Sequence, residues 1–341
     1  MSWPQYDDLP PVEGMPKGCA WGVFDKDGKK DQYGCLNKIT PSAIVKAAAD
    51  IKEGLSVSLN WPIGAIRAPL IGRKGLVHRS TSFLDEPREQ LRFHGYDDEI
   101  EFNTQISSQW DSLCHYLHQG TGRGYNGAEP SLHDLSQSRS TNGTASLPTL
   151  EHWHSRGGLV GRGVLIDYKA YADANGIDYS PFSSHKITIS DLEAVAAAQN
   201  VSFQVGDVFI IRTGYTEALG ALSPDEQANA MSSHRCVGIE GSEEVARWFW
   251  NKGFSAVAGD QVAFEVVPFP KDGIDEAGAA CDAVLHQYFL ALFGLHIGEL
   301  WDLRKLSETC ARLNRYTFFF TSVPLHVPGS VGSPPNALAI F

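Results

Sequence analysis

The chain has no basic cluster: 28 Lys and Arg are scattered among 40 Asp and Glu, for a formal charge of −12. That balance argues against nucleic acid or an anionic membrane as partner and leaves a small molecule as the expected ligand. No apolar run approaches the ~20 residues that span a bilayer. The start, MSWPQYDDLPPVEG, has neither a basic n-region nor an apolar h-region, so no secretory signal is expected and a cytoplasmic location is. The six Cys form no C-x-x-C pair, which speaks against a disulfide framework or zinc knuckle and for reduced thiols. Cys114 adjoins His115, but strand alternation sends neighbouring side chains to opposite faces, against a nucleophilic Cys–His pair. The Gly-x-Gly at Gly120–Gly122 lacks the strand–helix context and the GK[ST] ending of a phosphate loop. No low-complexity linker divides the 341 residues, and the length allows one large domain or two. The Pro-, Gly- and Asp-rich residues 1–39 are read as an extension packing on the core or on a neighbouring subunit.

What is present is a concentration of ligand-type side chains in Asn103–Gly120, NTQISSQWDSLCHYLHQG. On a strand, odd-numbered residues share a face, so Gln105, Gln109 and Asp111 are expected to point the same way, with His115 and His118 just beyond a turn. A carboxylate, two carboxamides and two imidazoles can coordinate a cation or move protons. They can also form a structural polar cluster, and residue types alone leave both readings open.

The spacing resembles the metal-site signature of the cyclase family of metal-dependent hydrolases, the group of bacterial-type kynurenine formamidase and isatin hydrolase. Its usual form is His-x-Gly-Thr-His-x-Asp-x-Pro-x-His. Here the first His falls at Gln105, the second at Gln109, the Asp at Asp111 and the last His at His115. The resemblance implies metal ligation through Gln105, Gln109 and Asp111, with His115 as catalytic base. It also implies a second ligand pair, His286 and Glu299, in HQYFLALFGLHIGELWDL. It extends through RGVLIDY (Arg162–Tyr168), GDVFIIRTGY (Gly206–Tyr215), the run Val237–Asp260 and GSPPNALAI, and so implies a single cyclase-like domain over residues 40–341. The implied fold is α/β, cyclase-like, with a β-rich core flanked by helices, usually in a homodimer. The implied cofactor is a divalent metal, Mn²⁺ or Zn²⁺. Carboxamides in place of two imidazoles make the set harder and richer in oxygen, which favours Mn²⁺ or Mg²⁺ over zinc.

Local signals place the remaining elements. Thr40-Pro41 reads as N-cap and first position of a helix to about Ile51. Ser56–Ile63 alternates as a strand, and residues 64–98 read as a long excursion. A turn in Gly120–Ser131 is expected to bring Tyr125 and Asn126 near the site. Thr149 caps a short helix whose His152 and His154 are surface or packing residues. Val164–Tyr168, Val208–Thr213, Phe254–Asp260 and Tyr316–Val323 are apolar strands. Ser190–Glu193 matches a capping box, Ser242–Lys252 a helix with a core aromatic stripe, and Ala279–Phe293 a helix carrying His286. Glu299 is expected just past that helix, swinging back toward it. Asp260 ends its strand where α/β proteins often keep functional side chains but is read rather as a helix or turn cap, and Trp61, Tyr125 and Phe264 as candidate walls for a planar ring. Three functions stay open. The first is a metal-dependent hydrolase of an amide, lactone or formamide, with His115, Asp111 and Glu299 catalytic. The second is a metal-independent dehydratase, isomerase or cyclase of secondary metabolism, in which His115 and an acid such as Asp111 or Glu299 move protons. The third is a non-catalytic binding protein on the same scaffold.

Overall fold

The computed structural model describes residues 3–69, 71–85, 90, 92–136, 147–271 and 274–341. Among these, nine strands join one mixed sheet in the order Ser56–Ser58, Ala337–Ile340, Thr317–Ser322, Leu159–Asp167, Val208–Arg212, Ala256–Gly259, His296–Glu299, Gln109–Asp111 and Gly332–Ser333. The four strands from Leu159–Asp167 to His296–Glu299 run parallel. Parallel neighbours need crossovers of a dozen or more residues, and helices between them supply these, among them Ile189–Ala198 and Glu243–Lys252. Both faces of these strands are therefore covered, which is why their sequences are continuously apolar rather than alternating. Val164, Ile166, Phe209, Ile211 and Val257 face one core. Leu165, Val208, Ile210, Ala256 and Ala258 face the other.

The Thr40 side chain accepts from the Ala43 amide at 3.2 Å and starts a helix at Pro41. That α-helix closes at Ala47 and a 3-10 turn finishes it at Asp50. The capping box sits two residues earlier than Ser190 suggests. Thr188 is the N-cap and Asp191 its reciprocal partner, because a Thr/Asp pair makes the same two bonds as Ser/Glu. Residues 64–98 include part of a two-stranded hairpin, Val77–Ser82 with Tyr96–Glu101. The N-terminal segment enters the main core through Tyr6, Cys19, Ala20, Phe24 and Cys35. It meets the rest of the chain where the Cys35 amide donates to the Gly294 carbonyl at 2.7 Å. Gly294 has φ +69°, and a Cβ there would lie 2.7 Å from the Cα of Gly34 and from the Tyr125 ring. Among the described residues no helix is long and apolar enough to cross a membrane.

Candidate metal and acid–base site

Two neighbouring strands carry the centre of the site. Gln109–Asp111 pairs antiparallel with His296–Glu299, placing Glu299 opposite Gln109 and Ile297 opposite Asp111. Strand parity therefore holds for Gln109 and Asp111, which lie two apart on one face. Gln105 departs from it: the residue lies in a turn before the strand, and the turn rather than the pleat delivers its side chain. Its Nε2 donates to Asp111 Oδ1 at 2.7 Å and stands 3.2 Å from both ring nitrogens of His115. Gln109 Nε2 donates to Asp111 Oδ1 at 3.2 Å and to Glu299 Oε2 at 3.1 Å. His115 Nε2 lies 3.9 Å from Asp111 Oδ1.

Glu299 sits on a strand rather than on a loop swinging back, and His286 Nε2 is 3.3 Å from its Oε1. The expected single helix over 279–293 is in fact three pieces: a 3-10 turn at Ala280–Asp282, one α-turn at Val284–His286, and a π-helix over Gln287–Phe293. The reason is Glu265, which sequence reasoning missed. Its fully buried carboxylate accepts from the amides of Val284, Leu285 and His286 at 2.9, 3.1 and 3.0 Å, restarting the helix there. It also meets His286 Nδ1 at 3.0 Å, fixing the imidazole so that Nε2 faces Glu299. The signal was available: a lone carboxylate inside the apolar run Val262–Phe269 must be buried with partners.

The electrostatics arise from burial. Burial pulls the His286 imidazole down, but Glu265 and Glu299 more than offset it and push it up to about 10. Burial raises Asp111, with the neighbouring Glu299 charge adding to the rise and His115 and His286 opposing it. Burial also raises Glu299, yet the hydrogen bond and charge of His286 outweigh it and leave that carboxyl below its ordinary value. One ligand atom from each of Asp111, His286 and Glu299 lies within 4.8 Å of the others. Two oxygens here, Asp111 Oδ2 and Gln109 Oε1, are buried without a hydrogen-bond partner. Orphaned acceptors beside two carboxylates and an imidazole are a donor set that fits a divalent cation.

The site opens into a cavity of about 300 Å³ lined by Gln105, His115, His286 and Glu299, with Arg73 and apolar side chains such as Met231 and Phe269 around them. The expected ring walls are elsewhere. Phe264 is fully buried in the main core against Phe209, Phe249 and Phe289. Trp61 packs with Tyr215, Leu219 and Leu300 and does not line the cavity. Tyr125 donates to Asp31 at 3.1 Å, and Asn126 binds Asp25 and the amide of Gly22, so this turn anchors the N-terminal segment rather than the site. Sequence reasoning placed aromatic and polar residues by adjacency in the chain, and the turn carries these two the other way. Asp260 accepts from Thr213 and Gly214, the turn-capping role expected of it. His118 faces Thr121, and Cys114 is buried with its thiol pushed up to about 12.

A mixed sheet with helices on both faces, and two carboxylates on adjacent strands that meet a helix-borne imidazole, define a cyclase-like α/β protein. The cyclase family model matches residues 39–266, and the chain belongs to that family. A crystal structure described as a novel cyclase is 31% identical, covers 95% of this chain and 99% of its own, and superposes with TM-score 0.77. Isatin hydrolase A from Ralstonia solanacearum shares the fold at 14% identity and TM-score 0.54, over 89% of this chain and 98% of that one. Isatin hydrolase A from Labrenzia aggregata, bound to benzyl benzoate, does so at 12% identity and TM-score 0.55, over 86% and 94%. No curated protein matches the chain.

Proposed function

We propose that the protein is a metal-assisted hydrolase of an amide, lactone or formamide bond in a small cyclic or aromatic molecule. The observation that carries this reading is the convergence of Asp111, His286 and Glu299 beside His115 at the base of an apolar cavity. The likeness to isatin hydrolases supports the fold on which such a site is built. Asp111, His286 and Glu299 would hold the ion, Gln109 would offer a neutral oxygen, and the oxygen-rich set favours Mn²⁺ over Zn²⁺. When bound, a divalent ion polarises the carbonyl and lowers the pKa of water. Glu265 holds His286 in the tautomer and orientation that present Nε2 to the cluster. His115, with its side chain 24% exposed toward the cavity, takes the proton from the attacking water. It returns that proton to the leaving nitrogen or oxygen as the carbonyl–heteroatom bond breaks. Gln105 sets its ring against Asp111. His115→Ala is expected to lower turnover by ~10²–10⁴-fold with little effect on folding, the usual scale for an acid–base group.

The test is turnover of a panel of amides, formamides and lactones before and after chelation, with Mn²⁺ added back and metal content measured. Turnover that persists in a metal-free protein would refute the metal-assisted reading. A second reading, a metal-independent dehydratase or isomerase, is favoured by one feature. The amides of Gln105 and Gln109 already donate to Asp111 and Glu299, and His286 stands between two glutamates, so these carboxylates have positive partners without an ion.

A further inference from the structure

The lining of the site cavity is apolar apart from the cluster with Gln105 and His115, the side chains of Tyr116 and His234, and one guanidinium. Arg73 is half-buried and contributes to the wall beside Gln105, His115 and Glu299. Its Nη1 donates to the backbone carbonyl of Gln105 at 2.8 Å, the residue whose side chain touches both Asp111 and His115. The guanidinium is thereby fixed next to the reacting centre. Glu299 feels its charge, but among the described residues no carboxylate forms an ion pair with Arg73, whereas Arg162 pairs with Asp207 and Arg212 with Asp167. A guanidinium carries five donors in a planar fork suited to a carboxylate, and Arg73 spends one of them on Gln105. In a chain of charge −12, a cation held against apolar walls without a carboxylate in contact is a receptor for an anion that arrives from outside.

We propose that Arg73 determines substrate charge: the cavity takes a molecule that carries a carboxylate or comparable oxyanion, which the free edge of the Arg73 guanidinium binds while the hydrolysable carbonyl lies at the Asp111–His286–Glu299 cluster. Apolar side chains such as Ile66, Met231 and Phe269 would cover the hydrocarbon ring between the two ends. The substrate class is then an anionic aromatic or alicyclic amide or lactone rather than a neutral one. This rests on the reading of the cavity as the substrate site, and the experiment measures binding so that a failure of the hydrolase assignment is told apart from a failure of the charge assignment.

Benzoate and benzamide have the same shape and differ in charge, and each is titrated calorimetrically into the full-length protein and into Arg73→Gln and Arg73→Lys. Wild type is expected to bind benzoate about 10- to 100-fold tighter than benzamide, the range of a charge-assisted hydrogen-bonded pair. Arg73→Gln should abolish that preference while leaving benzamide binding within about 3-fold, and Arg73→Lys should keep only part of it because a point charge lacks the fork. Failure of wild type to bind benzoate, equal affinity for the two ligands, or a preference that survives in Arg73→Gln overturns the assignment. Benzoate preference without turnover of any amide or lactone would leave Arg73 as an anion receptor and remove the hydrolase reading alone.

Discussion

Replacing Glu265 by Gln keeps the volume of the side chain and removes its charge, and the donors around it determine the cost. Four of them converge on this carboxylate: the amides of Val284 and Leu285 on Oε2, and the amide and Nδ1 of His286 on Oε1. A glutamine oxygen can go on accepting from the two His286 donors. Its NH₂ group would then face two N–H groups that accept nothing. Two buried amides left unpaired cost about 1–3 kcal/mol each, and removing the charged partner of a buried imidazole costs about 3–5 kcal/mol. These contributions share atoms and do not add, so we expect a loss of about 4 kcal/mol, a large part of the ~5–15 kcal/mol that holds a domain folded. The assay is urea unfolding monitored through the fluorescence of the eight Trp, with amide hydrogen exchange at residues 284–286 as the local readout. A loss below about 1 kcal/mol, with protection at those three amides unchanged, would refute the claim that Glu265 restarts the helix and positions His286.

Three further outcomes are expected. Gly294→Ala places a Cβ against Gly34 and the Tyr125 ring at a residue with φ +69°. The left-handed backbone and the overpacking together should cost about 2–5 kcal/mol, read from the urea midpoint. Burial pushes the Asp260 carboxyl from its ordinary 3.8 up to about 6, against the bonds from Thr213 and Gly214. The folded state therefore binds the extra proton between those values, and this group's contribution to stability, about 3 kcal/mol, is present below pH 3.8 and lost as pH rises through 6. Wild type should lose about 3 kcal/mol relative to the non-titrating Asp260→Asn as pH rises over that window, whereas a constant difference would contradict the shift. Gln105 and Gln109 both reach Asp111 with their side-chain nitrogens, so the double change to His should put imidazoles on the cluster and bind Zn²⁺ more tightly in a calorimetric titration; equal affinities would mean that neither position can ligate.

Much of the fold was legible because apolar continuity reports burial directly. Val208–Arg212 and Ala256–Gly259 lie inside the expected strands, each buried on two faces. The capping signal at Thr40 is local and marks the true helix start; the one at Ser190 lies two residues late because Thr188 offers the same hydroxyl earlier. The site was legible where two residues share one strand, as Gln109 and Asp111 do, since the pleat alone fixes their common face. It was not legible where tertiary placement decides. Tyr125 lies close in sequence to His115, yet its hydroxyl serves Asp31 of the N-terminal segment. Glu299 and Gln109 are far apart in sequence and become direct neighbours through an antiparallel register that no local pattern specifies. Phe264 carries the right chemistry for a ring wall, but chemistry does not distinguish a wall from a core, and the core took it.

The two glutamines bear most directly on the chemistry. An imidazole at either position would offer a lone pair to a cation, whereas the carboxamides turn Nε2 toward Asp111 and Glu299. Each therefore supplies part of the positive potential that an ion would otherwise supply, and competes with it for the same carboxylate oxygens. The competition is incomplete, since Asp111 Oδ2 and Gln109 Oε1 are left without partners. A site arranged this way should hold a cation more weakly than one built from imidazoles, and should exchange it more readily. His115 is set against Asp111 by Gln105, and those contacts do not depend on an ion to keep their geometry. Gln105 would thus weaken the proposed metal site while holding His115, the group that the proposed reaction would use as its base.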